Sequence, residues 1–154
     1  MIKFSVILNN IGWKNYLKKP NQYIEKKLYK INKKNKNFKK KAFFCSLVLS
    51  GNSEIKRLNK KFRNKNKTTD VLSFPFHKKK ELQKVILKEN EIYLGEIIIN
   101  LNKIKYKKKI SSFKIEFDKL WIHGLVHLLG YDHKSDRDFN RMLRVEKKFL
   151  SYVN

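Results

Sequence analysis

The sequence predicts an α+β fold: a single domain with a four-stranded mixed sheet, about five helices and a central metal-binding helix. Three observations carry this expectation. At 154 residues and 41% hydrophobic content, the chain has the size and apolar mass of one domain with its own core. Runs rich in β-branched and aromatic residues are separated irregularly by amphipathic stretches, so a strict βαβα alternation does not fit. And three of the four histidines crowd into residues 123–133, on a segment with helical spacing.

Taken in order, residues 2–8 (IKFSVIL) read as a first strand. Pro20 suits the first turn of a helix, and Tyr23, Ile24, Lys27, Leu28 and Ile31 extend an amphipathic pattern to about residue 32. Asn32 to Lys41 is lysine- and asparagine-rich and reads as a solvated loop or frayed helix end. Residues 42–49 are an apolar, buried strand, closed by Gly51-Asn52-Ser53, which offers a cap to a helix over about 53–64. Ile55, Leu58 and Phe62 line one face of that helix, and Arg63 ends it.

Thr69 to Phe76 reads as a short strand stopped by Pro75, with Asp70 anchoring its opening turn. His77 to Asn90 is strongly charged and reads as a surface excursion, with His77 exposed beside a lysine run. Residues 93–99 form the fourth strand. Asn100 is placed to cap a helix over about 101–109, and Ser111-Ser112 to cap a long helix over 112–129. A last helix, about 136–151, buries Met142, Val145, Phe149 and Leu150. Strand pairs joined through helices should be parallel, with at least one antiparallel neighbour. No internal repeat or linker divides residues 1–154.

The chemistry concentrates at His123-Gly124-Leu125-Val126-His127-Leu128-Leu129-Gly130-Tyr131-Asp132-His133. Helical residues four apart share a face, roughly 6 Å apart, so His123 and His127 can converge on one ion. Gly130 permits the left-handed backbone that ends a helix, and the returning chain can offer His133 as a third ligand. Three protein nitrogens with an open fourth position suit a catalytic zinc. The spacing also matches the zinc-protease pattern H-E-x-x-H-x-x-G-x-x-H, except that Gly124 stands where those enzymes keep their glutamate base.

Charge is the second large feature. Lys plus Arg is 38 and Asp plus Glu is 13, a net +25 that attracts polyanions, nucleic acid first and an anionic membrane surface second. The abundance of lysine, asparagine and isoleucine leaves a compositional origin open for part of that charge. The single cysteine, Cys45, lies in an apolar run and rules out a disulfide framework within the monomer. That usage fits a reducing, cytoplasmic setting. The opening residues lack the form of a signal peptide, and no apolar run reaches the length of a membrane span.

Residues 123–133 resemble the H-G-x-L-H-L-x-G-Y-D-H signature of the YbeY family, bacterial metal-dependent endoribonucleases of ribosomal RNA maturation. Thr69 to Phe76 is similar to that family's T-D-V-L-S-F-P segment. Asn59 and Arg63 match its N-x-x-x-R helix end, Leu94-Gly95-Glu96-Ile97 its L-G-D-I strand, and Met142 and Glu146 its closing helix. Glu96 departs from the usual aspartate, and the lysine-rich loops exceed the common pattern. The resemblance implies one zinc per chain on His123, His127 and His133, with Arg63 facing it across a cleft. It implies catalytic roles for these four residues. It implies a zinc-dependent, single-strand-specific endoribonuclease acting in 3′-end maturation of small-subunit ribosomal RNA and in ribosome quality control. Implied partners are ribosomal RNA and the small ribosomal subunit, a small-subunit ribosomal protein and a ribosome-assembly GTPase, with no membrane.

On residue chemistry, an arginine fork suits the charge that builds on non-bridging oxygens during phosphodiester cleavage, although Arg63 alone also reads as a helix-end surface residue. Asp132 fits equally as an orienter of a ligating imidazole or as a turn residue. With Gly124 in the base position, proton transfer stays open between metal-activated water, another side chain and the RNA 2′-hydroxyl. Two other classes stand beside the nuclease: a zinc hydrolase of protease type, and a non-catalytic ribosome-assembly factor with structural zinc.

Overall fold

The computed structural model describes residues 1–35 and 40–154. Residues 36–39, in the middle of the expected loop, lie outside the described residues. The sheet has four strands in the order β1 (Ile2–Leu8), β2 (Ala42–Ser50), β4 (Glu91–Asn100) and β3 (Val71–Pro75). β1–β2 and β2–β4 are parallel, and β3–β4 is antiparallel. The sheet is mixed, as the sequence implied, and the proline-stopped strand is an edge; β3 and β4, however, are antiparallel although residues 79–88 between them form a helix, so a helical connection does not by itself make a pair parallel here.

Side chains alternate across the sheet and seed two cores. The larger lies under α1 (Pro20–Lys34), α4 (Ile110–Leu128) and α5 (Asp136–Val153), with Trp13, Phe113, Phe117 and Trp121 fully buried. The smaller, on the other face, joins Val48, Leu72 and Ile98 to Ile55 of α2 (Asn52–Arg63). Cys45 is buried, and burial pushes its thiol pKa up, as expected of a packing residue.

α4 is apolar over much of its circumference and sits between the sheet and α5. One carboxylate pins it. Asp118, 1% exposed, accepts from Trp121 Nε1 at 2.8 Å and from the Tyr23 hydroxyl at 2.9 Å, and Lys27 Nζ lies 2.8 Å away. These bonds satisfy a charge that would otherwise be costly to bury, and they tie α4 to α1.

Several local expectations are corrected. The stretch 77–90 is not a surface excursion throughout: Lys79–Lys88 forms α3, which buries Leu82 in the main core. Leu82, Val85 and Ile86 supply helical spacing, and Glu81 reaches back to the Lys78 N–H at 2.9 Å. The expected helix over 101–109 is only a 3-10 turn, Leu101–Lys103. Leu101 and Ile104 are buried, but beyond them lysines crowd together and Tyr106 takes φ +59°, which breaks a helix. Asn100 caps that short turn and donates to Asn52 Oδ1 and the Thr69 carbonyl.

α4 begins at Ile110, before Ser111-Ser112, so those serines do not cap it. Gly51 precedes α2 without a side-chain cap, and Phe62, expected on its buried face, is 58% exposed. The count of five helices therefore holds among the described residues, with α3 in place of the expected 101–109 helix. Among these residues no helix is long and apolar enough to cross a membrane.

Candidate metal centre and its cleft

Helix α4 ends in a Schellman motif that shapes the site. Gly130 takes φ +87°; its N–H bonds to the His127 carbonyl at 2.9 Å, and the Tyr131 N–H to that of Val126 at 3.2 Å. The chain then turns back and brings His133 to the helix face. One nitrogen from each of His123, His127 and His133 falls within 4.8 Å of the others, the grouping that can hold a metal ion.

The hydrogen bonds decide which nitrogens are offered. His127 Nδ1 is 3.1 Å from the Tyr131 carbonyl, which can only accept, so Nδ1 carries the proton. His123 Nδ1 is 2.6 Å from a carboxylate oxygen of Glu146 on α5. With both Nδ1 positions donating, the two Nε2 atoms face each other at 3.1 Å. Two lone pairs at that distance repel unless a proton or a metal ion lies between them. Two nitrogens at ~2.0–2.1 Å from a tetrahedral zinc would stand about 3.3 Å apart, so the pair fits such an ion. Burial, and then the neighbouring His123, hold the His127 pKa below the ordinary imidazole value, which keeps the ring neutral and able to ligate.

Glu146 was legible only as part of the closing helix. Its contact with His123 was not, because 23 residues separate them. The available signal was an acid on the same helix stripe as buried Met142 and Phe149. Glu146→Ala should weaken divalent-metal binding roughly 10- to 100-fold, the usual effect of removing an acceptor behind a ligating imidazole. Competition against a chromophoric chelator measures this. Of the two roles open to Asp132, the structure supports the turn: its Oδ1 accepts from the His133 N–H at 2.8 Å, and its other oxygen pairs with Lys134 at 3.3 Å. Asp70 likewise anchors its turn, accepting from the Val71 N–H at 2.8 Å.

Gly124 has a packing explanation. A Cβ there would lie 2.7 Å from Ile97 Cγ2 and 3.1 Å from Ser73 Oγ, so α4 approaches the sheet closely at this point. A glutamate at 124 would drive into β4 and could not serve as a base in the cleft, which argues against a protease-type centre. Gly124→Ala should destabilise by about 1–3 kcal/mol through overpacking. At roughly 2–4 °C per kcal/mol for a domain of this size, the melting temperature would fall measurably.

Arg63 arrives from the far side of the sheet. Buried Asn59 steadies its helix end: its side-chain amide donates to the Lys67 carbonyl at 2.8 Å, and Asn64 takes the left-handed cap. Arg63 Nη2 bonds to the Ser73 carbonyl at 3.2 Å, and its guanidinium lies 5.9 Å from the Phe74 ring centre. It lines a cleft of about 910 Å³ that also holds His127 and His133. Three of the four residues singled out in the sequence, Arg63, His127 and His133, therefore line one cleft, and His123 belongs to the same histidine cluster. His77 also lines the cleft, from outside the histidine cluster, as do Lys78 and Lys79.

Fold and cleft together define a single-domain α+β protein with a helix-and-turn histidine centre that can hold a metal ion. The family described as Endoribonuclease YbeY matches residues 8–154. Endoribonuclease YbeY of Pelagibacter ubique is 39% identical over 155 residues, covering 99% of this chain and 97% of that protein. The same-named protein of Thermodesulfovibrio yellowstonii is 39% identical over 130 residues, covering 82% and 75%. The solution structure of TM1509 from Thermotoga maritima superposes with a TM-score of 0.55 at 25% identity, covering 99% of this chain and 89% of that one. The chain belongs to the YbeY family.

Proposed function

We propose that residues 1–154 act as one endoribonuclease domain that uses zinc on His123, His127 and His133 to cut single-stranded RNA. The observation that carries this reading is the pair of Nε2 atoms facing each other at 3.1 Å, with His133 completing the cluster. The proposed role is 3′-end maturation of small-subunit ribosomal RNA and ribosome quality control. The family match and the +25 charge support an RNA substrate. A small-subunit ribosomal protein and a ribosome-assembly GTPase are proposed partners, and the cytoplasm the proposed location.

Zinc at this site would supply Lewis-acid polarisation of a phosphoryl oxygen and lower the pKa of a water toward ~7. The chain's own groups do the rest. Glu146 and the Tyr131 carbonyl fix the tautomers of His123 and His127 and aim their Nε2 atoms at one point. Arg63 offers a planar fork to the non-bridging oxygens, where charge grows during cleavage. Its bond to the Ser73 carbonyl orients it beforehand. Lys78 and Lys79 line the same cleft and draw in the phosphate backbone.

Metal-loaded protein should cleave single-stranded ribosomal RNA fragments and leave unfolded casein intact. Binding should weaken steeply as salt rises, because lysine–phosphate contacts release counterions. Cleavage of casein without RNA cleavage would overturn the proposal.

A further inference from the structure

One edge of the sheet carries aromatic rings that the core does not use. Phe76 is 67% exposed, Phe62 58% and Tyr93 36%. Isolated exposed rings need no explanation, but these form two contacting pairs. Phe62 meets Phe74 with centroids 5.3 Å apart, and Phe76 meets Tyr93 at 5.4 Å. The interplanar angles are 62° and 71°, edge-to-face contacts, and the His77 ring meets Phe76 in the same way at 4.9 Å, yet both phenylalanines stay more than half exposed.

The backbone builds this placement. Gly95 takes φ +130°, and a Cβ there would lie 2.1 Å from the Phe74 carbonyl oxygen. Only glycine lets β3 pass this close, at a bulge where β4 shifts register against β2. Just beyond the end of β3 at Pro75, the Phe76 N–H donates to the Leu94 carbonyl at 2.9 Å. Phe74 and Phe76, two residues apart at and just beyond the end of β3, lie on the same side of the chain. Cations interleave: Lys61 Nζ lies 5.1 Å from the Phe62 ring centre, and Arg63 sits over Phe74. The row is continuous with the cleft, since Phe76 lines it with Arg63 and His127.

We infer that Phe76 and Phe62 are base-stacking platforms that seat unpaired RNA nucleotides beside the histidine cluster, with Lys61 and Arg63 holding the adjoining phosphates. This rests on the RNA-cleaving reading above and adds a reason for single-strand preference. A ring can stack only on a base that is free of its helix, and it accepts any base because every base has a π-face. Duplex RNA would present phosphates to the lysines but no base face to Phe76.

The test is single-turnover cleavage of an unstructured RNA by metal-loaded protein, with protein concentration varied. Phe76→Ala should raise the half-saturating concentration roughly 5- to 100-fold, the span expected for one lost stacking contact, with a plateau rate near wild type. Phe62→Ala should act in the same direction, and Phe76→Trp should restore binding. RNA with abasic sites at the stacked positions should bind wild type and Phe76→Ala equally. Fluorescence of the Phe76→Trp variant should be quenched by intact RNA and not by the abasic strand. Wild-type saturation by Phe76→Ala, or an equal loss on abasic RNA, overturns stacking while the nuclease reading stands. A metal-loaded wild type that neither binds nor cuts RNA overturns both. Both residues are exposed, so melting curves of the alanine variants should superpose on wild type.

Discussion

His127→Ala is expected to empty the site of its divalent metal and reduce RNA cleavage to the metal-free background. His127 is the middle of the cluster. Its ring lies 4.6 Å from that of His123 and 5.1 Å from that of His133, while those two are 6.3 Å apart. Removing it leaves two donors at opposite ends and frees the Tyr131 carbonyl that oriented it. Polarisation by a bound metal contributes several kcal/mol, and about 1.4 kcal/mol is tenfold in rate, so the loss should be roughly 10³-fold or more. The fold should persist, because the buried Leu125, Val126 and Leu128 carry the packing of this helix turn.

Metal analysis by mass spectrometry should find about one divalent ion per wild-type chain and a vacant His127→Ala variant. Full occupancy in the variant would remove His127 from the ligand set. Acid should release the metal too, because a protonated imidazole cannot ligate. The depressed pKa of His127 keeps its neutral form present to lower pH than an ordinary histidine. Its own protonation therefore opposes binding only on the acid side of about pH 6.5.

Arg63→Ala is expected to lower the cleavage rate by roughly 10²-fold or more while leaving metal content unchanged, the usual cost of losing a donor aimed at developing charge. Arg63 is exposed and makes one bond to the Ser73 carbonyl, so stability should change little. Arg63→Lys should recover only part of the rate, because an ammonium cannot reproduce the fork. Single-turnover cleavage on metal-loaded protein isolates the chemistry from product release. Cleavage at the wild-type rate by Arg63→Ala would return this residue to the surface. Normal plateau rates with weakened RNA binding would make it a uniform binding contact.

What was legible in the sequence was local. The spacing of His123 and His127, the helix-ending Gly130 and the return to His133 are set by backbone geometry within eleven residues, 123–133. Pro20, the Pro75 stop and the stripe Met142–Phe149 follow equally from short-range rules, and each matches the observed element. The helix α3 was hidden because its apolar residues sit among lysines, and only docking on the main core, beside the turn at Gly130, gives Leu82, Val85 and Ile86 something to bury against. The expected helix over 101–109 failed for the opposite reason: its apolar positions end after one turn.

The sequence by itself determined the histidine cluster, the α+β class and the basic character, because each depends on residue types at short spacing. Residue spacing left three things to the tertiary structure, one of which, the place of Arg63, the family resemblance had implied. The tertiary structure decided that Glu146 orients His123, that Gly124 is glycine because the helix presses on Ile97, and that Arg63 shares a cleft with His127. All three are contacts between elements distant in the chain. Strand order and helix packing create them, and no local periodicity encodes which faces will meet.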